Sequence, residues 1–368
     1  MKFMRCAPHR RATVKWAGAD ADPLLTASQR DSNQMNDNNP PANWPDRAIG
    51  LGAGLASALL FAASTRGSSL AMALAYFAPL PLLIGALGFS TLGALGGAVL
   101  GALLLAHLAG PFVGAGFFFG FAAPALVVAA LARQVFPAKN DGSAPLPSFF
   151  PPGALLAVLM ALAVLAAWIG VAILIDLHHG FNAALEALLT RFGPALDEVI
   201  ENLKKMSPEI ETDSVKRLIL LSAPAAVAAS QTLLMAINLW LAARTVEVSG
   251  RLGRPWPALP ETLILPRAVA PLFVLSAGLS FNGGLVGALS GALAAASGLA
   301  LALQGLAALH AFSRDFKFRG AMLAALYATV FALEPWSLII LAFFGLIESV
   351  FTLRARKARR LNAKTDNQ

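Results

Sequence analysis

Leu155-Leu-Ala-Val-Leu-Met-Ala-Leu-Ala-Val-Leu-Ala-Ala-Trp-Ile-Gly-Val-Ala-Ile-Leu-Ile-Asp-Leu177 is apolar without a charge until Asp176. A helix crosses the hydrocarbon core in about 20 apolar residues, with roughly 17 to 25 tolerated, so this stretch reads as a membrane span. Working outward by the same rule, nine further segments emerge. Before it lie Ala48 to Ser64, Leu70 to Phe89, Leu92 to Leu108 and Phe112 to Leu131. After it come Leu218 to Ala243, Ala268 to Phe281, Leu285 to Leu309, Ala321 to Leu333 and Trp336 to Leu353. The seventh and ninth are short. Hydrophobic residues make up 57% of the chain and charged ones 13%, far from the balance of a soluble domain.

The expected fold is therefore an all-α polytopic transmembrane helical bundle of eight to ten spans, ten preferred. Cytoplasmic loops retain the excess of Lys and Arg, and from the fourth span onward every second break is basic. These breaks hold Arg133 and Lys139, then Arg244, Arg251, Arg254 and Arg267, then Arg314, Lys317 and Arg319, and last Arg354, Arg356, Lys357, Arg359 and Arg360. The pattern predicts both termini on the cytoplasmic side. It also accounts for the net charge of +8 without nucleic acid, because the positive residues are scattered over several loops. Trp44, Trp240, Trp256 and Trp336 fall near span ends, as an interfacial aromatic belt requires.

Residues 1–47 are polar, lack the apolar core of a signal peptide and have the composition of a disordered tail. Met35 is an alternative start. The only cysteine, Cys6, lies in this tail, leaving neither an internal disulfide nor a multi-thiolate metal site. Residues 354–368 form a basic cytoplasmic tail, and Glu348 lies within about two turns of Arg354, close enough to pair with it.

Small residues at four-residue spacing recur: Gly93, Gly97 and Gly101 on the third span, Gly283, Gly287 and Gly291 at the eighth, and Gly50, Gly54 and Ala58 on the first. Such stripes let helix backbones approach closely in lipid, and the stripe on the first span is a candidate docking face for another subunit. Prolines interrupt Pro79 and Pro81 in the second span, Pro124 in the fourth, Pro224 in the sixth and Pro271 in the seventh. Each lacks a backbone donor and frees a carbonyl four residues earlier; such breaks are either kinks resatisfied by neighbours or, in transporters, the lining of a cavity. With the chain halved into five plus five spans, the second helix of each half carries proline and the third the glycine stripe, an inverted repeat in outline.

Few polar side chains lie within spans. Gln231 and Asn238, seven residues apart, share a helix face; with His107 and Gln304 they either hydrogen-bond between helices or form a polar patch that binds a small solute, facing Pro79 and Pro81. His178 and His179 point about 100 degrees apart on a helix and do not easily share a metal ion. No HExxH, GxSxG or GxxxxGK[ST] motif occurs, so neither metal nor cofactor is expected, no enzymatic nucleophile is recognisable, and ATP hydrolysis through the phosphate-loop fold is absent. In the outer segment 178–217, two apolar stripes flank Gly193-Pro194 and predict two amphipathic helices, lying on the outer face or capping the bundle as a lid.

The runs Tyr76-Phe-Ala-Pro-Leu-Pro-Leu82 and Gly120-Phe-Ala-Ala-Pro-Ala125, and the stretch Asn238-Leu-Trp-Leu-Ala-Ala-Arg244 followed by Ser249-Gly-Arg-Leu-Gly-Arg-Pro-Trp256, resemble the YybS-like family of bacterial membrane proteins, a domain of unknown function. Through its early helices that family is distantly similar to the substrate-binding S subunits of energy-coupling-factor transporters. The resemblance implies a bacterial inner membrane, a small-molecule ligand, and transmembrane coupling and ATPase subunits as partners beside the lipid bilayer, with Gly50, Gly54 and Ala58 docking the coupling subunit. S subunits usually have about six spans, and the extra helices here depart from them. The expectation is a small-molecule transport or substrate-binding subunit; the contrary class is a non-transporting membrane scaffold or envelope assembly factor.

Overall fold

The computed structural model describes residues 44–64, 68–136, 148–206, 209 and 211–357. The N-terminal tail with Cys6 and Met35, the loop residue Lys139, and Arg359 and Arg360 of the basic tail lie outside the described residues.

The first half runs α1 (Trp44–Ala63), α2 (Ser69–Ala75), α3 (Pro79–Gly88) and α4 (Thr91–Ala109). It continues through α5 (Pro111–Phe117) and a π turn (Phe118–Ala122) into α6 (Ala123–Arg133). Val135–Phe136 and Ser148–Phe149 then pair antiparallel, Val135 opposite Phe149. The second half comprises α7 (Pro152–Leu177), α8 (Phe181–Met206), α9 (Thr212–Val248), α10 (Leu259–Thr262), α11 (Val269–Ser280), α12 (Gly284–Phe312), α13 (Arg319–Ala332) and α14 (Trp336–Phe351). Six helices are long and apolar enough to cross a membrane, with α5, the π turn and α6 counting as one, and four shorter apolar helices accompany them.

These elements occupy the places of the ten segments, with differences of length. The expected second span is not one helix: Tyr76, Phe77 and Ala78 form a turn between α2 and α3, because Pro79 and Pro81 cannot continue the ladder and Pro79 instead supplies the favoured first residue of α3. Besides α11, with 12 residues, and α13, with 14, α14 is also short, at 16. In the other direction α9 has 37 residues, about 55 Å at 1.5 Å per residue, more than the hydrocarbon core needs.

The outer segment also departs from expectation. α8 is one helix with Pro194 inside it, not two. Pro194 deprives the Thr190 carbonyl of its donor, but Thr190 and Pro194 are exposed, so solvent can replace it. Ion pairs on both sides of the proline, Arg217 with Glu186 and Lys216 with Asp197 at 2.5 Å, hold α8 along α9.

Two apolar cores form. One gathers Leu82, Leu83, Phe117 and Val128 with Met235 and Leu239 of α9. The other gathers Met160 and Val164 of α7 with Ala228, Ala296, Leu301 and Leu341. Large apolar side chains such as Leu59, Leu92, Phe119 and Ile340 are left outside, as they must be where lipid is the solvent.

The glycine stripes on α1 and α4 meet each other. A Cβ on Gly50 would lie 2.8 Å from the Ala94 nitrogen and one on Gly54 2.5 Å from that of Ala98, while Ala58 packs on Gly101; the ascending register makes the two helices parallel. At α12 the correspondence with α4 fails. Gly283 and Gly284, with φ of 68° and 55°, make the turn that joins α11 to α12, a conformation glycine adopts without strain, so the stripe there is partly a turn and the inverted repeat has no structural counterpart at this point.

Candidate functional site

The polar residues of α9 serve the proline breaks. Leu80 donates to the Phe77 carbonyl at 3.0 Å, leaving the Tyr76 carbonyl without an intrahelical partner, and Asn238 Nδ2 donates to it at 2.9 Å. On the other side of the same turn Ser57 of α1 donates to the Ala78 carbonyl. Pro124 has no N–H to offer Gly120, and Gln231 Nε2 donates to that carbonyl at 2.5 Å. Asn238 is 1% exposed. Gln231 and Asn238 therefore share a face, as their spacing predicts, and that face clamps two broken helices. The clamp is testable: Gln231→Leu should destabilise the protein by about 0.5–1.5 kcal/mol in a detergent unfolding assay, the net worth of a hydrogen bond to a partly buried carbonyl, and Pro124→Ala in the same chain should recover part of the loss.

Gln304 is fully buried. Its Oε1 accepts from the Leu265 nitrogen at 2.7 Å, and its Nε2 donates to the Gly345 carbonyl at 3.1 Å and to Ser349 Oγ at 2.8 Å, so it ties α12 to α14 with its capacity used. His107 sits exposed in the last turn of α4. None of Pro79, Pro81, His107, Gln231, Asn238 or Gln304 lines either of the two cavities described below. Gly50, Gly54 and Ala58 are covered by α4; their role is packing within the chain, and that face is closed to another subunit. Glu348 does pair with Arg354, at 2.8 Å. Among the described residues, no group of three His, Cys, Asp or Glu side chains is placed to hold a metal ion.

The larger cavity, of about 780 Å³, opens where α7, α9, α10, α12 and α13 converge. Leu156, Leu159, Ile237 and Leu303 make its apolar wall. Donors are set into its rim. Tyr327 OH lies 3.2 Å from His310 Nε2, and His310 Nδ1 lies 2.9 Å from the Leu306 carbonyl; this pattern assigns the His310 proton to Nδ1 and makes Nε2 the acceptor. Trp240 and Trp256 supply ring surface, and Arg244, paired with Glu247, supplies charge. Such a volume with few convergent polar groups suits a small molecule.

A second cavity, of about 420 Å³ and almost wholly apolar, lies under α8, between it and the other ends of α7 and α9. Between the two, Met160 and Val164 of α7 and Ala228 and Thr232 of α9 are buried.

Directly behind the Trp256 ring is Arg254, 7% exposed, with its Cζ 5.3 Å from the Trp256 ring and 5.2 Å from that of Phe149. Its Nη1 donates to the Phe150 carbonyl at 3.3 Å. Nε, Nη2 and the Trp256 Nε1 are buried without a hydrogen-bond partner. Burial pushes the Arg254 guanidinium below its ordinary pKa, since the charge has left water without gaining a carboxylate. In the sequence Arg254 is only one more basic loop residue. Its place between Gly253 and Pro255-Trp256 has meaning only once the loop is folded onto Phe149.

Compared with family models, with curated proteins and with solved structures, the chain has no match in any of the three. The fold by itself defines the class: a multi-pass helical membrane protein, with six helices fit to span.

Proposed function

We propose that this protein is a small-molecule transport or substrate-binding subunit of a bacterial inner membrane, crossing ten times with both termini cytoplasmic and working with partner proteins. The observation that carries the reading is the pair of cavities at opposite ends of α7 and α9, separated by a buried, close-packed waist. The sidedness draws on charge. Arg251 reaches Asp46 at the start of α1, Arg314 pairs with Glu261, and Arg133 donates to the Ala86 carbonyl at 2.8 Å. These pairings gather the basic breaks at the end where the larger cavity opens, as a cytoplasmic face requires. A partner has the exposed apolar face of α1 to use, with Leu51 and Leu59 outward, not the glycine stripe.

The scaffold reading has its own support in the tight packing of Asn238 and Gln304, which spends the polar groups of the spans on structure. The two readings part on occupancy. Small molecules extracted from the full-length protein, purified in mild detergent and identified by mass spectrometry, should include one amphipathic compound near one per chain, depleted in Leu306→Trp, whose larger indole intrudes into the cavity that Leu306 lines. Recovery of envelope-assembly proteins with no bound molecule would favour the scaffold.

A further inference from the structure

The two unpartnered atoms of Arg254, Nε and Nη2, are neighbours along one edge of the guanidinium. That edge presents two parallel N–H bonds, the fork that matches two oxygens of a phosphate or carboxylate. Nη1 is spent on the Phe150 carbonyl, and Cζ sits 5.2 Å from the Phe149 ring and 5.3 Å from the Trp256 ring, contacts that hold the guanidinium in place. An unpaired buried cation is costly, and a buried donor without an acceptor costs about 1–3 kcal/mol. Here one cation and a third donor, the Trp256 Nε1–H, lie together and lack acceptors.

The two nearest carboxylates in sequence are already committed: Glu247 accepts from the Trp256 nitrogen at 3.0 Å through Oε1 and pairs with Arg244 through Oε2, and Glu261 pairs with Arg314. Among the described residues no acceptor reaches these donors, which leaves them open to an anion. Trp256 belongs at once to this group and to the wall of the larger cavity, whose other walls are mostly apolar. The arginine thus adjoins the cavity through the Trp256 ring and is not itself part of its lining.

We propose that Arg254 and the Trp256 indole bind the phosphate group of an amphiphile whose apolar portion fills the 780 Å³ cavity. The proposal rests on the reading of that cavity as a ligand site and specifies its ligand class. A three-oxygen phosphate offers acceptors to both edge N–H groups and to the indole, where a carboxylate has two oxygens to divide among three donors.

The test titrates the full-length protein, in maltoside detergent, with dodecyl phosphate, dodecanol and inorganic phosphate, following ligand-induced shifts in unfolding temperature and fitting Kd. Dodecyl phosphate should bind the wild type, roughly 10- to 100-fold more weakly in Arg254→Gln, as expected for lost charged hydrogen bonds, and several-fold more weakly in Trp256→Phe. Leu306→Trp should weaken binding. Without ligand, Arg254→Gln should unfold no lower than the wild type, whereas a purely structural arginine would lower that temperature and leave Kd alone. If Arg254→Gln does not fold, the weakening in Trp256→Phe decides.

Equal binding of dodecanol and dodecyl phosphate, both weakened in Leu306→Trp and indifferent to Arg254→Gln, overturns the phosphate proposal and leaves the cavity reading standing. Inorganic phosphate binding as tightly as dodecyl phosphate, and insensitive to Leu306→Trp, identifies a free-anion site and overturns the amphiphile. Binding of none of the three overturns the proposal, and an empty cavity in the extraction experiment would then remove the reading beneath it.

Discussion

Gly97→Leu should abolish folded protein while Gly96→Leu, one residue away, should leave it intact. A side chain on Gly97 runs into the Leu51 backbone, with its carbonyl and Cα in the way, whereas one on Gly96 has nothing within 4 Å. Overpacking usually costs about 1–3 kcal/mol when side chains can move aside. Here the obstruction is the backbone of a neighbouring helix along a seam that also includes Gly50 and Gly54, so a cost at or above the top of that range is expected. Gly96 is exposed, and replacing glycine there by a better helix former gains roughly 0.5–1 kcal/mol. Size-exclusion profiles of the two variants, expressed side by side, would separate the outcomes. Equal behaviour of the two would mean that α1 and α4 do not pack through this stripe.

Removing Glu348 should be nearly as damaging. Glu348 and Arg354 are both almost fully buried, the carboxylate also accepts from the Leu353 nitrogen at 2.9 Å, and Arg354 donates on to the Pro260 and Leu263 carbonyls at 2.8 and 2.9 Å. The pair therefore ties the end of α14 to α10 and the segment after it. Glu348→Ala leaves a buried guanidinium without its counter-ion, a change that typically costs about 3–5 kcal/mol. Glu348→Ala with Arg354→Met removes both charges and should recover most of the loss, because the penalty is that of the orphaned partner more than of the missing pair. Thermal unfolding in detergent of the single and double variants measures it; a double variant as unstable as the single would assign the role to packing instead.

The apolar helices were legible because hydropathy and length mark them, although only six of them are long enough to cross a membrane, and the stripe on α1 and α4 because four-residue spacing lays small residues on one face. What the stripe faces was not legible, since a docking face and a packing face have the same sequence. The same holds for Asn238 and Gln231. The prolines announce which carbonyls are freed, but the donors that reach them come from 162 and 111 residues away, and spacing along the chain carries no record of that. Pro194 misled in the opposite sense, because an exposed helix tolerates a missing bond that a buried one does not. The larger cavity had no signature. Its walls are ordinary Leu and Ile from several elements, and its rim is made of His310 and Trp256, which look in sequence like span ends, and of Tyr327 in the middle of a short apolar segment.

The central claim is that a ligand cavity opens at the basic, cytoplasmic end of this bundle. With Cys6 the chain's only cysteine, Cys6→Ser provides a background for single reporters, reconstituted in vesicles of known orientation and probed with a membrane-impermeant thiol reagent. Leu306→Cys, in the cavity, should react from the cytoplasmic side alone, Ser214→Cys, beside α8, from the opposite side alone, and Thr232→Cys, in the buried waist, from neither. Failure of Leu306→Cys to react from the cytoplasmic side, or its reaction from the same side as Ser214→Cys, would contradict the account.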